Sequence, residues 1–346
     1  MEDRPPRGAN LLTVAVILIV AGALILSFGP ELRGILPRAR QKLGRLQESI
    51  VGGDMIGGSD YTVCTDGEER FDPDRVERLA IGWLSGGVTV EPGAVDQIVV
   101  REKADRELAE EEKLCWKLEG GTLTLRFCTA RQIRITGKTL TVTVPESWVA
   151  DDIEVAVTSA SPTLRELHVD DTIRVGSGSG SVVLDECVCE KIEAGATSGT
   201  VRILDCSCEK IEAGATSGSV AVLDCSCDEL DAGATSGSLE IRCEAEELSL
   251  RSTSGTIRCE GPSGDCALSC GSTSGPVRLK LDGRGEQRVT IDTTSGDVTL
   301  DTDAPVDLSF DTNSGEIRGD YTQERGAALR VKVDTTSGNL TFGSIR

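Results

Sequence analysis

Large apolar and aromatic side chains are scarce in this chain of 346 residues, in which Phe, Trp and Tyr together make up 3%. A compact enzyme of this length normally fills a deep core with such side chains, so their shortage argues against a thick α/β core. Glycine is abundant instead, with 39 residues. A repeat solenoid suits this composition, because its thin core is filled by small and β-branched residues.

Histidine is almost absent, since His168 is the only one. A single imidazole excludes zinc sites built on three histidines and leaves one possible base for a catalytic triad. His168 is explained as an ordinary strand residue. No phosphate-binding Gly-x(4)-Gly-Lys-Ser/Thr motif occurs. The sequence therefore predicts no catalytic residue and no cofactor.

Basic charge is also in short supply, because 36 Lys and Arg stand against 57 Asp and Glu, which leaves a net charge of −21. Such a chain repels nucleic acid, so we expect no nucleic-acid partner. Cations, basic proteins and neutral polymers stay open as partners, and solubility alone would also explain the charge.

One uninterrupted apolar run lies near the amino terminus, at residues 10–28, behind a short tail at residues 1–9. Its 19 uncharged residues can cross a bilayer core of about 30 Å as a helix. The run is longer than that of a signal peptide and no small-residue cleavage site follows it. We therefore predict a single-pass transmembrane helix in the cell membrane, with the lipid bilayer as its partner.

The flanking charges leave open which side of the membrane the rest of the chain occupies. Five Lys and Arg residues follow the helix within residues 29–45 and two precede it, a count that favours the cytoplasm. Long domains are nevertheless translocated regardless of such charges. We predict that residues 29–70 contain a basic juxtamembrane segment followed by a Gly-rich linker. The basic segment would be either a helix that lies on the membrane surface or a solvated helix.

Nine Ser-Gly pairs recur at a nearly constant interval from Ser179 onward, with Gly-to-Gly spacings of 19, 19, 19, 18, 20, 21, 19 and 23. Aliphatic residues two and, in most repeats, four positions after each Gly show the alternation of a β-strand. One repeat cannot bury its apolar face alone, so we expect successive repeats to stack in parallel about 4.8 Å apart. The Ser-Gly pair then forms one corner of every coil, where we expect the glycine to adopt a positive φ.

The predicted fold is all-β: a parallel β-solenoid (β-helix) with coils of about 19 residues, preceded by one transmembrane α-helix. Residues 176–346 form its regular Ser-Gly repeats. Residues 71–175 contain shorter alternating runs and form an irregular N-terminal part of the same solenoid. Within that part, residues 101–113 carry ten charged side chains and predict a solvated excursion.

The order of several short strand motifs resembles a known bacterial family. Phe71 is followed by Leu79-Ala80-Ile81, Gly86-Gly87-Val88-Thr89-Val90, Gly120-Gly121-Thr122-Leu123-Thr124-Leu125, Leu140-Thr141-Val142-Thr143-Val144 and then repeated Ser-Gly-x-Val rungs. Over residues 71–346 this order is similar to the β-strand-repeat family called domain of unknown function 4097, whose members are named as candidate adhesins. The resemblance implies a parallel β-solenoid, often behind one membrane helix, and it supplies no catalytic residues.

Cysteine density separates this chain from the family pattern. Six of its 13 cysteines form three Cys-x-Cys pairs at equivalent places in successive repeats: Cys187 and Cys189, Cys206 and Cys208, Cys225 and Cys227. Stacking would align them in two columns. Three interpretations stay open, namely packing as small apolar side chains, disulfides between coils, and a site for zinc or another soft metal. We predict no metal, with these six residues as the candidate ligands if one binds.

Evenly repeated acidic residues, such as Glu190, Glu209 and Asp228, indicate a solvated face rather than catalytic carboxylates. The Thr before most Ser-Gly pairs is explained by turn formation or by a hydroxyl array that binds an ordered ligand. The sequence thus predicts a non-enzymatic solenoid for surface display, adhesion or scaffolding at the cell envelope, with envelope proteins or glycans as partners. The alternatives are a cytoplasmic-face scaffold or regulator in an envelope-stress system, and a carbohydrate-active β-helix enzyme.

Overall fold

The computed structural model of the chain describes residues 55–129 and 137–345. These residues form β-strands and two short 3-10 helices, Pro73–Arg75 and Glu110–Glu112, and they contain no α-helix. Across the same residues, no helix has the length and apolar character needed to span a membrane. The predicted membrane segment, residues 10–28, lies outside the described part of the chain.

The N-terminal part contains eight strands: β1 (Thr62–Val63), β2 (Glu68–Phe71), β3 (Arg78–Gly93), β4 (Ile98–Ala104), β5 (Cys115–Glu119), β6 (Thr122–Arg126), β7 (Lys138–Pro145) and β8 (Ala150–Arg165). Strands β3 and β8 are long and run parallel, with Arg78 beside Asp152 and Val90 beside Leu164. Strands β1, β2, β4 and β5 pair antiparallel and form a cap over this end of the solenoid.

The regular part contains sixteen strands: β9 (Val169–Ser177), β10 (Val182–Asp185), β11 (Lys191–Ala196), β12 (Val201–Leu204), β13 (Lys210–Ala215), β14 (Val220–Ala234), β15 (Leu239–Ser252), β16 (Ile257–Glu260), β17 (Cys266–Ser272), β18 (Val277–Lys280), β19 (Gln287–Thr293), β20 (Val298–Asp301), β21 (Val306–Thr312), β22 (Ile317–Arg318), β23 (Leu329–Thr335) and β24 (Leu340–Gly343). Strands that lead into a Ser-Gly corner form the first wall of the coil, and strands that leave it form the second wall. A short third wall connects the second wall to the next first wall in the coils around Val188, Ser207 and Ser226.

Neighbouring coils pair in parallel, in register and with the apolar positions inside. Val182 lies beside Val201, Val201 beside Val220, and Val220 beside Leu239. All four side chains are at most 1% exposed. The prediction of an all-β fold with parallel, solenoid-like stacking is therefore confirmed.

The Ser-Gly corners require glycine for a reason other than the predicted one. None of these nine glycines has a positive φ. A Cβ on Gly218 would instead lie 1.7 Å from the carbonyl oxygen of Gly199 in the preceding coil, which leaves no room for any side chain. Positive φ occurs at the following corner, on four acidic residues: Glu166, Glu186, Asp205 and Asp224. Asp adopts this conformation more readily than most other residues with a side chain. The expectation about φ was wrong, and close approach of the coils explains the glycines.

Stacking follows chain order in the middle of the solenoid but not at its ends. Strand β23 lies between β19 and β21, and β24 lies between β20 and β22. The last coil in the sequence is therefore inserted before the preceding one, and β21 and β22 form the end of the stack. The long spacing of 23 residues between Gly315 and Gly338 provides the chain needed to step back. At the other end, β3 lies between β8 and the coil formed by β6 and β7.

Candidate functional site

The six predicted cysteines come together on the short third wall. Val188, Ser207 and Ser226 form parallel bridges there, which aligns the cysteines on either side of them in two columns. Cys243 extends the first column because it pairs with Cys225. All 13 cysteines are free thiols, and every one except the half-buried Cys208 is buried.

The thiols of the first column find hydrogen-bond acceptors within the protein. Cys187, Cys206 and Cys225 each donate an S–H to the carbonyl oxygen two residues earlier, at 3.4, 3.1 and 3.3 Å. At the end of the columns, the Sγ atoms of Cys227 and Cys243 lie 3.6 Å apart. Thiols arranged in this way pack as small apolar side chains with a weak donor.

Burial and mutual contact shift the pKa of the thiols of this wall and its neighbourhood in both directions. Hydrogen bonding with Cys206 lowers the pKa of Cys225, and hydrogen bonding with Cys243 lowers that of Cys227. Burial raises the pKa of the Cys259 thiol to about 12. For Cys206, the hydrogen bond to Cys187 lowers the pKa, but the hydrogen bond to Cys225 and burial outweigh it and raise the pKa to about 12. A metal binds the thiolate, so Cys206 would first have to lose a proton that the fold retains. In the part of the chain that the structure describes, no three His, Cys, Asp or Glu side chains are grouped to hold a metal ion.

The other side chains that the sequence singled out lie at the surface. Glu190, Glu209 and Asp228 are exposed and stacked in one column, because the backbone N–H of each later residue bonds to the carbonyl of the one before it. His168 is exposed and bridges to Val188 at the start of the third wall. The acidic column therefore repeats with the coil, about 4.8 Å per step, as a solvated face does.

The serine hydroxyls at the Ser-Gly corners bond to the protein itself. Ser254, Ser274, Ser295 and Ser337 each donate to the carbonyl oxygen of the Thr in the coil stacked before them, at 3.3 to 3.4 Å. These bonds tie neighbouring coils together, and they favour turn formation over a ligand-binding hydroxyl array.

The outer surface of the first wall carries a lattice of ion pairs between coils, which we call the charged lattice. Its pairs are Lys210–Glu229, Arg174–Glu193 at 2.8 Å, Lys191–Glu212 at 3.5 Å and Arg251–Asp231 at 3.1 Å. Burial opposes ionisation of Glu193, but hydrogen bonds from Arg174 and Lys191 outweigh it and hold the pKa of that carboxyl below its usual value. These charges are held by one another, so none of them is poised as a general acid or base.

A buried ionic centre in the N-terminal part was not predicted from the sequence. The side chains of Lys138 and Glu102 are 0% and 4% exposed, and their charged groups lie 2.5 Å apart. The ammonium also donates to the carbonyl oxygens of Phe127 and, at 2.7 Å, of Glu112. It lies 4.0 Å from the ring centre of Phe127 and 5.0 Å from that of Trp83. Burial lowers the pKa of Lys138, and the charge of Glu102 opposes that shift.

Glu102 and Glu112 belong to residues 101–113, which the sequence predicted as a solvated excursion. For Glu102 that prediction is wrong. This residue lies in β4, which pairs with both β2 and β7. The Glu102 carboxylate also accepts a hydrogen bond from the backbone N–H of Leu114 at 3.0 Å. The Lys138 ammonium has three oxygen acceptors for its three donors. The centre therefore acts as a cross-link between the cap and the first coils rather than as a reactive amine.

Several solved structures share the fold of the solenoid. In fold the chain is similar to a candidate adhesin from Parabacteroides distasonis, with 16% identity, a TM-score of 0.51, and coverage of 68% of this chain and 98% of that one. A candidate adhesin from Parabacteroides merdae shows 13% identity and a TM-score of 0.49, and a candidate lipid-binding protein from P. distasonis shows 14% and 0.46. Both cover 71% of this chain and 98% of their own.

Identities this low show a shared fold and nothing about ligands. No curated protein matches the chain. The family model for Toastrack DUF4097, in contrast, matches residues 76–343. Because that match covers more than half of the chain, from β3 through β24, the chain belongs to the Toastrack family of domain of unknown function 4097.

Proposed function

We propose that this protein is a non-enzymatic, membrane-anchored β-solenoid that displays a binding surface at the bacterial cell envelope, for adhesion or scaffolding. The observation that carries the proposal is the charged lattice, in which side chains on successive coils neutralise one another across a regular face. Such a face suits recognition of a repetitive partner and offers no group prepared for chemistry. The similar protein from P. distasonis is named a candidate adhesin, which agrees with this proposal.

The anchor is the second part of the proposal. Residues 10–28 would hold the chain in the bilayer, and residues 29–54 would separate it from the solenoid. The separating segment is shorter than the predicted 29–70, because β1 and β2 already pair with β5 and β4 in the cap. In this arrangement the linker joins the solenoid at its capped end. The excess of Lys and Arg after the helix favours a second candidate, a scaffold on the cytoplasmic face.

Protease accessibility separates these two candidates. A specific protease site inserted within residues 46–54 would be tested in intact cells and after lysis. The site lies ahead of Met55 and Gly57, which are hydrogen-bonded to Phe127 and Cys128. We expect the full-length chain to fractionate with membranes, its variant without residues 10–28 to become soluble, and the site to be cut in intact cells. Cleavage only after lysis would contradict outward display and support the cytoplasmic-face candidate.

A separate assay tests the absence of catalysis. Purified full-length chain would be incubated with cell-envelope glycans, and soluble products would be measured. We expect no turnover. Turnover that a single Asp or Glu substitution abolishes would overturn the non-enzymatic proposal in favour of a carbohydrate-active enzyme.

A further inference from the structure

The two ends of the stack are closed differently. The antiparallel strands β1, β2, β4 and β5 cover the amino end. At the other end, β21 and β22 pair on one side only, with β23 and β24. Among the described residues, the outer edge of β21 meets only a single bridge, between Val306 and Gln323.

Apolar side chains of this last coil are only partly covered, and the ring of Tyr321 stacks on that of Phe342 with centroids 4.3 Å apart. Ile317 is 38% exposed, whereas Leu340, at the same position one coil inward, is 0% exposed. Phe310 is likewise only half-buried beside the fully buried Val333. Tyr321, in the loop after β22, is 38% exposed. The apolar column therefore ends on a layer that a further strand would cover.

Among the described residues, the outer edge of β21 is hydrogen-bonded only along its first half. The Val306 N–H donates to the carbonyl oxygen of Thr322, in the loop after β22, at 2.9 Å. The Leu308 N–H donates to the side-chain oxygen of Gln323 at 3.3 Å. Alternate N–H groups of a strand point the same way, so those of Phe310 and Thr312 also point to this edge. An edge of this kind accepts an added strand through main-chain hydrogen bonds.

Charge selects the kind of strand that fits. Residues 303–326 contain six acidic and two basic side chains, a net charge of 2 − 6 = −4. A second copy of the chain, with the same end and a net charge of −21, would be repelled. An extended segment that alternates basic and apolar residues would neutralise this end while it covers the exposed side chains.

We propose that the outer edge of β21, from Phe310 to Thr312, together with Ile317 and Tyr321, receives an extended basic segment of another protein as an added β-strand. This interaction surface is independent of the charged lattice and of the side of the membrane. Main-chain pairing supplies affinity, and the acidic side chains around the edge, such as Asp311, supply the preference for basic partners.

The test uses the full-length chain in detergent micelles and a capped peptide that alternates Lys and Val. We expect saturable binding and slower amide hydrogen exchange at Phe310 and Thr312. Ile317→Lys and Asp311→Lys should each weaken binding by at least about tenfold, by charge repulsion and, for Ile317, loss of apolar contact. Val188→Lys is the matched control, since Val188 is 44% exposed on the distant third wall and should leave binding unchanged.

Three results would overturn the proposal. Equal binding by wild type and both edge variants would show a diffuse attraction between the peptide and an acidic surface. Dimerisation of the full-length chain that Ile317→Lys abolishes would make a second copy the occupant. Protection of Phe310 and Thr312 without any peptide would make the N-terminal residues 1–54 of the same chain the occupant.

Discussion

Lys138 shows how a single charge is retained inside an otherwise apolar solenoid. Its ammonium is fully buried, and it pairs with the Glu102 carboxylate and with two carbonyl oxygens. Burial of either charge alone would be costly, so the two side chains stabilise the cap only as a pair.

Replacing Lys138 by Met should lower the free energy of unfolding by about 3–5 kcal/mol, because Glu102 would remain buried without a cation. Urea unfolding of the full-length chain followed by circular dichroism measures the change. Lys103→Met is the matched control, since Lys103 is exposed on the same strand as Glu102 and should change stability by less than about 0.5 kcal/mol. A loss below about 1 kcal/mol for Lys138→Met would show that the pair is unimportant.

The buried thiols of Cys206 and Cys259 are expected to make the protein less stable in alkali. The pKa of Cys206 and of Cys259 is about 12 in the folded chain, whereas an unfolded cysteine titrates near about 8.5. Between these values the unfolded chain has lost protons that the folded chain still binds. The free energy of unfolding should therefore be independent of these thiols below about pH 8 and fall above it, by up to about 1.4 kcal/mol per pH unit for each thiol.

Urea unfolding in the presence of a reductant, at pH 7, 8, 9 and 10, tests this dependence. In Cys259→Ala, the free energy of unfolding should fall less steeply with pH above about pH 8, because one thiol no longer contributes to the fall. The substitution also removes packing, which lowers the free energy of unfolding by the same amount at every pH. Identical slopes for wild type and Cys259→Ala would show that this thiol ionises equally in the folded and unfolded chains.

Within the strands and corners, two glycines differ in how much room a side chain would have. Gly218 lies at a Ser-Gly corner, where a Cβ would come within 1.7 Å of a carbonyl oxygen. Gly233 lies in β14, and a Cβ there would meet nothing closer than the Arg251 carbonyl oxygen at 3.8 Å. Neither glycine has a positive φ, so only the surroundings differ.

Gly218→Ala should therefore destabilise the chain by about 1–3 kcal/mol through displacement of the neighbouring coil. Gly233→Ala should be neutral or stabilising by up to about 1 kcal/mol, because alanine restricts the unfolded chain. Thermal unfolding of the two variants side by side measures the difference. Equal effects would mean that the corners can expand, and that close approach is not what selects glycine there.

The coil pattern was accessible from sequence because its information is local. Alternation of Val and Leu with polar residues specifies a strand, and a constant spacing specifies what lies beside it in the next coil. The reason for the corner glycines was missed because it depends on a carbonyl of another coil, such as that of Gly199 beside Gly218. The positive φ on Asp205 and its equivalents was also missed, because Asp is common elsewhere in the chain and does not by itself mark a left-handed residue.

For the whole molecule, stacking in register predicts that one repeat can be removed. Deleting residues 200–218 joins Gly199 to Ser219 and leaves Val220 to stack on Val182. We expect a folded chain with a modest loss of stability, since each coil contacts only its neighbours. Deleting ten residues, 209–218, should abolish cooperative unfolding, because the inside positions fall out of register. Circular dichroism and calorimetry of both variants would show whether the length of the repeat or only its composition matters.

Some of the candidate sites could be predicted from the repeat spacing, and others could not. Equal spacing in the sequence is enough to predict that Cys187, Cys206 and Cys225 lie together, because each occurs once per coil. The pair of Lys138 and Glu102 brings together residues 36 positions apart in different strands, so no repeat predicts it. The open edge at β21 depends on where the final coil is inserted, and the 23-residue spacing indicates only that this coil is unusual.

The sequence by itself determined the repeating unit: strands, their inward and outward faces, their parallel stacking, and membership of a known family. These properties follow from residues within one or two repeats, whose energies are local or between nearest neighbours. Only the tertiary structure decided the order of the terminal coils, the buried ion pair and the partly covered last layer. Those depend on which distant segments compete for the ends of the stack, where a coil lacks one neighbour and the repeat no longer dictates what covers it.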